Sequence, residues 1–137
     1  MLKINYWAVV AAAVAAFVVG AVWYSPLLFG KAYMMLRGMN PDAMANMRPP
    51  AAELVGEFVR YLVVAYVLAR FVVLLGVADW MGAVRLALWV WIGFQAMLLG
   101  GAVIHENMPV KLYAIHAGDA LVKTLFMTVI LGVWRAR

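Results

Sequence analysis

The sequence predicts an all-α integral membrane protein: a four-helix bundle with a short interfacial helix after the first span, forming one transmembrane domain over residues 1–137. Three observations predict it. Hydrophobic residues make up 69% of the 137-residue chain and charged residues 12%, against about 45–50% and about 25% in soluble domains. A globule of this size has too little interior to hide that much apolar surface, and the mean hydropathy is +0.97. Apolar runs long enough to cross a hydrocarbon core, about 20 residues as a helix, recur along the chain. Together these exclude a soluble enzyme, a disordered tail and a disulfide-knit secreted module.

The first span (6–25) carries no charge from Tyr6 to the break at Ser25-Pro26. Lys3 ahead of an alanine-rich run is also how a signal peptide begins. This run is longer than the roughly 7–15 residues of a signal h-region, so a retained helix is expected. Ala8, Ala12, Ala16 and Gly20 recur every fourth residue, a small-xxx-small stripe that lets helix backbones approach closely. The stripe can serve packing within the bundle or packing on another copy; the first is preferred, because four helices offer each other few other close-contact faces.

Residues 26–49 form the long connection. Ser25 as N-cap and Pro26 as first helical residue predict a short helix to about Arg37, stopped by Gly38. Its mixture of Leu27, Leu28, Tyr33, Met34 and Met35 with Lys31 and Arg37 suits the headgroup plane. Asn40-Pro41-Asp42 marks a second, shorter turn ending at Arg48. The loop reads either as a lid or as an interfacial linker. The second span (50–76) opens after Pro49-Pro50, the third covers 80–104, and the fourth covers 109–134. Ala96 with Gly100, and Ala114 with Gly118, repeat the small-residue spacing over shorter stretches. Trp7, Trp23, Tyr24, Trp80 and Trp134 lie near span ends, where an aromatic belt is expected.

Eleven Lys and Arg against six Asp and Glu give a net charge of +5. The cations stand singly where apolar runs end, which suits lipid phosphates and membrane topology rather than nucleic acid. An even number of spans puts both termini on one side. Lys3, Arg70, Arg85, Arg135 and Arg137 then balance Lys31, Arg37, Arg48, Arg60 and Lys111. Setting Arg60 aside as intramembrane tips both termini to the cytoplasm. The absence of cysteine removes disulfides, thiolate metal sites and thiol catalysis.

Ionisable groups inside spans are the most informative feature, since each costs about 2.5–3.5 kcal/mol at a helix centre on the insertion scale. Arg70 and Arg85 lie near enough to span ends to snorkel. Glu53, Glu57 and Arg60 follow i, i+4, i+7 spacing, and His116, Asp119 and Lys123 follow i, i+3, i+7, each set on one helical face. Counted from Pro50 and Pro109, Glu57 matches His116 in depth, and Arg60 matches Asp119 roughly 15 Å in, at about 1.5 Å per residue. Gln95 reaches the same level from the opposite direction.

The expectation is therefore a polar cluster of Glu57, Arg60, Gln95, His116, Asp119 and Lys123, with Arg60–Asp119 as its charge pair. Two readings are open. The cluster is a water-filled site for a proton, ion or small molecule. Alternatively, Arg60 bonds Glu57 and Glu53, and Asp119 bonds Lys123, as clips within single helices. His105, Glu106, His116, Asp119 and Glu57 include metal-donor atoms, but no H-x-x-x-H or E-x-x-H spacing occurs, so no metal, haem or other cofactor is expected. No catalytic residue is assigned. Ser25 reads as a cap, and neither histidine has an evident Ser or Thr partner.

The string Gly20-Ala-Val-Trp23-Tyr24-Ser25-Pro26-Leu-Leu-Phe29-Gly30-Lys31, preceded by Asn5-Tyr6-Trp7, is similar to a bacterial family of small membrane proteins known as domain of unknown function 1761. The stretch from Glu106-Asn-Met-Pro109 to Tyr113-Ala-Ile115-His116-Ala-Gly118 extends the resemblance over essentially the whole chain. It implies a multi-span protein of a bacterial inner membrane and no particular activity. His116 and Asp119 depart from the Asn and the uncharged residue that the resemblance leads one to expect. In the motif itself, Trp23 and Tyr24 end the first span, Ser25 and Pro26 turn the chain, Gly30 leaves room for close approach, and Lys31 meets a lipid phosphate or an anion. A well-anchored corner at the membrane surface accounts for the same residues.

Three function classes follow. The first is a module that binds or passes a proton, ion or small molecule through the cluster. The second is a structural or accessory subunit that assembles through small-residue faces into a homo-oligomer or larger membrane complex. The third, ranked last, is a membrane enzyme acting on a lipid or quinone, with Glu57 and His116 as acid and base. Membrane lipids are partners in all three, and nucleic acid in none.

Overall fold

The computed structural model describes residues 3–38 and 51–134. Among these the chain forms five helices and no strand: α1 (Tyr6–Trp23), α2 (Gly30–Leu36), α3 (Ala51–Leu74), α4 (Trp80–His105) and α5 (Val110–Val133). By length and composition α1, α4 and α5 are apolar enough to cross a membrane. The expected second span is the exception. At 24 residues α3 has the length, but Glu53, Glu57, Arg60 and Arg70 interrupt its apolar character.

Local chemistry sets each helix boundary. The Asn5 side-chain oxygen accepts from the amides of Trp7 and Ala8 at 3.1 and 3.3 Å, capping α1. Its amide group also donates to the Trp134 carbonyl at 3.1 Å, tying the start of α1 to the end of α5. Asp79 caps α4 by accepting from the Gly82 amide at 2.7 Å. Gly76, just beyond α3, has φ +67°, a left-handed conformation that glycine adopts without strain. Trp91–Ala96 is a π-helical stretch inside α4, and the Ala96 carbonyl there accepts from the Tyr113 hydroxyl at 3.0 Å.

The connection after α1 differs from expectation. Ser25 and Pro26 do not open the short helix. The Ser25 hydroxyl donates back to the Val22 carbonyl at 2.6 Å and accepts from the Leu27 amide at 3.3 Å, forming an irregular corner. The helix starts at Gly30 instead, whose amide donates to the Ser25 carbonyl at 2.9 Å. Gly38, at φ +74°, ends it as expected. The turn at Asn40-Pro41-Asp42 to Arg48, the prolines Pro49 and Pro50, and the cations Arg135 and Arg137 lie outside the described residues.

Packing centres on α5, which touches α1, α2, α3 and α4. Helices α1, α3 and α5 pack on one another as a three-helix core, and α4 lies along α5. Ala8, Ala12, Ala13 and Ala16 are fully buried against Ala65, Leu68 and Val72 of α3 and Met127 and Leu131 of α5. The alanine stripe is therefore consumed inside the chain, as small residues in close helix contacts are. The shorter repeats are used only in part. Ala96 is buried and Gly118 packs on Trp23, but a Cβ on Gly100 would meet nothing within 4 Å, and Ala114 is exposed. Trp7, Trp80 and Trp134 are exposed near helix ends. Trp23 and Tyr24 instead turn inward and are half-buried.

Candidate functional site

The site begins with Lys123, near the middle of α5 and only 6% exposed. Its ammonium donates to Asp119 Oδ2 at 2.8 Å, one helical turn back, and to the Tyr61 hydroxyl of α3 at 2.6 Å. It also stands 4.6 Å from the Tyr61 ring centre and 6.0 Å from that of Tyr24. Desolvating two charges costs several kcal/mol per ion, repaid only when geometry is good and further hydrogen bonds are made. Tyr61 supplies one such bond. Gly20 supplies the space: a Cβ there would come within 3.0 Å of Lys123 Nζ.

From Lys123 the hydrogen bonds run in two directions. Tyr61 donates onward to Glu57 Oε2 at 2.9 Å, and Glu57 accepts from Arg60 Nη2 at 3.1 Å. Across Asp119, the Tyr24 hydroxyl lies 3.5 Å from Oδ2 and 2.7 Å from His116 Nδ1. The Tyr33 ring of α2 meets Tyr24 and His116 edge-on, with centroid separations of 5.1 and 5.5 Å. Arg37 donates to the Tyr33 hydroxyl at 2.6 Å. One network thus joins the end of α1, α3 and α5, with α2 against its outer edge. Among the described residues, the second carboxylate oxygen of Asp119 is buried without a hydrogen-bond partner, as is the Thr128 hydroxyl one helical turn beyond Thr124.

Five of the six residues expected in the cluster take part in this network, but the expected ion pair does not form. Arg60 bonds Glu57 on its own helix, and its side chain is 65% exposed. Asp119 pairs with Lys123. The reason is rotation rather than depth. Tyr61, Ala65, Leu68 and Val72 are the face of α3 turned to the core, and Arg60 stands about 100° around the axis from Tyr61. Gln95 remains beside the network: its Oε1 lies 2.7 Å from the Thr124 hydroxyl, which is also 2.7 Å from the Ala120 carbonyl. Tyr61 and Thr128 went unnoticed in the sequence, because Tyr and Thr inside an apolar run read as packing. The Tyr61-Ala65-Leu68-Val72 spacing was the signal that Tyr61 faces inward.

The corner motif seats this site. The Trp23 indole donates to the Ile115 carbonyl at 2.9 Å and packs at a tilt of 40° against the Phe29 ring, with centroids 4.8 Å apart. That contact leaves Tyr24 pointing at His116. Gly30 is buried, and a Cβ there would collide with the Tyr24 carbonyl and the Ser25 backbone. Pro26 and Lys31 are exposed and outside the network. His105 is exposed, and among the described residues no group of three His, Asp or Glu is gathered as metal ligands. A cavity of about 10 Å³ lies at the other end of α1, lined by Lys3, Asn5, Ala8, Val72, Leu131 and Trp134. It has room for about one water.

A family model described as "Protein of unknown function (DUF1761)" matches residues 7–132, and the chain belongs to that family. Comparison with curated proteins and with solved structures gives no match.

Proposed function

We propose that this member of a family of unknown function is an integral membrane protein whose buried Asp119–Lys123 network binds and releases a proton. In this reading α1, α3, α4 and α5 are the four crossing helices of the bundle, and α2 lies at the membrane surface. The crossing of α3 is supported by its packing along both α1 and α5, and by its length of about 36 Å at 1.5 Å per residue. Long side chains on a helix lean toward its N-terminus, so Arg60 reaches back toward the headgroups. Both termini then share one face, taken in this reading as the cytoplasmic face of a bacterial inner membrane.

The observation that carries the proton reading is the Lys123 ammonium held between Asp119 and Tyr61. An ionised pair at this depth is costly, and such groups in membrane helices mark proton and ion chemistry. A tyrosine hydroxyl can both donate and accept, and Tyr61 does both here, accepting from Lys123 and donating to Glu57. Its half-buried ends, Glu57 and His116, sit in the first third of their helices. This favours binding from one side over a path through the whole bilayer. The test is infrared difference spectroscopy of the protein in vesicles on acidification. A protonated-carboxyl band that vanishes in Asp119→Asn is expected; no such band in the wild type overturns the reading.

A second reading, an accessory subunit without a ligand, is supported by α4. Only 11% of its most apolar stretch is buried, and Gly93, Gly100 and Gly101 are open to close approach. Gly100→Leu that shifts the assembly size in detergent, with the carboxyl band absent, favours this reading.

A further inference from the structure

The Tyr24 hydroxyl stands between two acceptors, His116 Nδ1 at 2.7 Å and Asp119 Oδ2 at 3.5 Å. A phenol has one proton to give. When His116 Nδ1 is bare, that proton belongs in the short bond, and Asp119 Oδ2 is left to Lys123 at 2.8 Å. When Nδ1 is protonated, His116 becomes the donor and the Tyr24 oxygen must accept. Its own O–H is then free, and Asp119 Oδ2 is the acceptor within reach. Asp119 Oδ2 can take the added bond beside that of Lys123, because each carboxylate oxygen carries two lone pairs.

We propose that Tyr24 is a two-position relay through which protonation of His116 alters the Asp119–Lys123 pair. One proton enters at His116, which is half-buried beside α2. Tyr24 keeps its proton throughout and remains a neutral phenol; only the direction of its O–H changes. Asp119 then divides its charge between Tyr24 and Lys123, and the hold on the ammonium loosens toward Tyr61. This deepens the proton-binding reading above and rests on it, by naming the residue where the proton is sensed.

The groups around His116 fit this role. On its own helix, Asp119 favours the imidazolium and Lys123 opposes it. From α2, Tyr33 offers a ring edge, and Arg37, bonded to Tyr33, adds a second opposing charge. From α3, Tyr61 and Glu57 are reached through Lys123. From α4 comes the uncharged Gln95, bonded to Thr124. Charges of both signs thus surround the half-buried imidazole.

The experiment is nitrogen NMR on the full chain, isotope-labelled at His and Lys, in vesicles of phosphatidylethanolamine and phosphatidylglycerol. The pH is taken between about 5 and 8, where histidine changes charge. His105→Gln and His116→Gln assign the imidazole signals. The Lys123 Nζ signal is expected to move with the same midpoint as His116 in the wild type. In Tyr24→Phe, His116 still titrates and the Lys123 response is lost. A Lys123 signal that stays still while His116 titrates, or that follows His116 equally in Tyr24→Phe, overturns the relay. If Tyr24→Phe does not fold, the wild type alone decides: a Lys123 signal that stays still while His116 titrates overturns the relay. This outcome is separate from the carboxyl band. A band without co-titration sinks the relay alone, whereas co-titration without a band places the bound proton at His116 and overturns the Asp119 carboxyl as its site.

Discussion

Gly20 of α1 faces Lys123 of α5 so closely that a Cβ on the glycine would stand 3.0 Å from the ammonium nitrogen and 3.1 Å from Cε. The end of a lysine side chain normally yields to such an intrusion. Here it is held by Asp119 and Tyr61, so yielding means lengthening two charge-assisted hydrogen bonds. Gly20→Val is therefore expected to lose about 1–3 kcal/mol, the usual cost of overpacking. In a Lys123→Met background, whose tip carries no such bonds, the loss is expected to shrink. Reversible unfolding in mixed detergent, followed by circular dichroism, measures both. Equal losses in the two backgrounds contradict the assignment.

The Asp119–Lys123 pair makes a sharper forecast. Removing one partner strands the other charge in the core, at about 3–5 kcal/mol. Asp119→Asn and Lys123→Met are each expected to show losses of that order. The double variant is expected to lose well under their sum, because neither charge is then left behind. A double-mutant cycle in the same unfolding assay gives the coupling, and strict additivity is the contrary result.

Two glycines of one chain are expected to respond with opposite sign. At Gly30 a Cβ meets the backbone of Tyr24 and Ser25, which cannot swing aside as a side chain does. Gly30→Ala should cost about 1–3 kcal/mol and move Tyr24 away from His116. At Gly100 nothing lies within 4 Å, and alanine there gains up to about 1 kcal/mol of helix propensity. Thermal unfolding of the two variants side by side tests the contrast; loss of stability in both refutes it.

Asp79 offers a control away from the network. Its carboxylate caps α4 through the Gly82 amide, so Asp79→Ala is expected to cost about 0.5–2 kcal/mol and Asp79→Asn much less. Amide hydrogen exchange at Gly82 and its neighbours should rise in the alanine variant alone. Equal exchange in both variants removes the cap from the account.

Much of the helix layout was readable, because long apolar runs and proline or glycine breaks act locally. Each long helix begins and ends within two residues of its apolar run. The corner at Ser25-Pro26 has the residues of a helix start, but its hydroxyl bonds backward to Val22 and the helix begins at Gly30. In the candidate site, counting residues from Pro50 and Pro109 gave depth, and so brought Glu57, His116, Asp119 and Lys123 to neighbouring levels. It gave no rotation about each axis, so Arg60 was assigned to Asp119 although it stands on the exposed side of α3. Rotation was encoded in the buried face that begins at Tyr61, a residue whose hydroxyl is easily lost among its apolar neighbours. Closeness between distant elements, such as Tyr24 and His116, has no local signature at all.

That α5 packs against each of the other described helices bears on how the chain comes together during synthesis. The segments emerge from the ribosome in order, so Tyr24 and Tyr61 are delivered before Asp119, Lys123 and His116 exist. Until then α1 and α3 are held by their alanine seam and by the aromatic pairs Tyr6–Tyr66 and Phe17–Phe58, and the hydroxyls of Tyr24 and Tyr61 lack the partners that α5 brings. Helix α5 acts as a keystone: its arrival satisfies four waiting neighbours in one step, so a quality-control protease would recognise a nascent chain that stops short of it as unfinished.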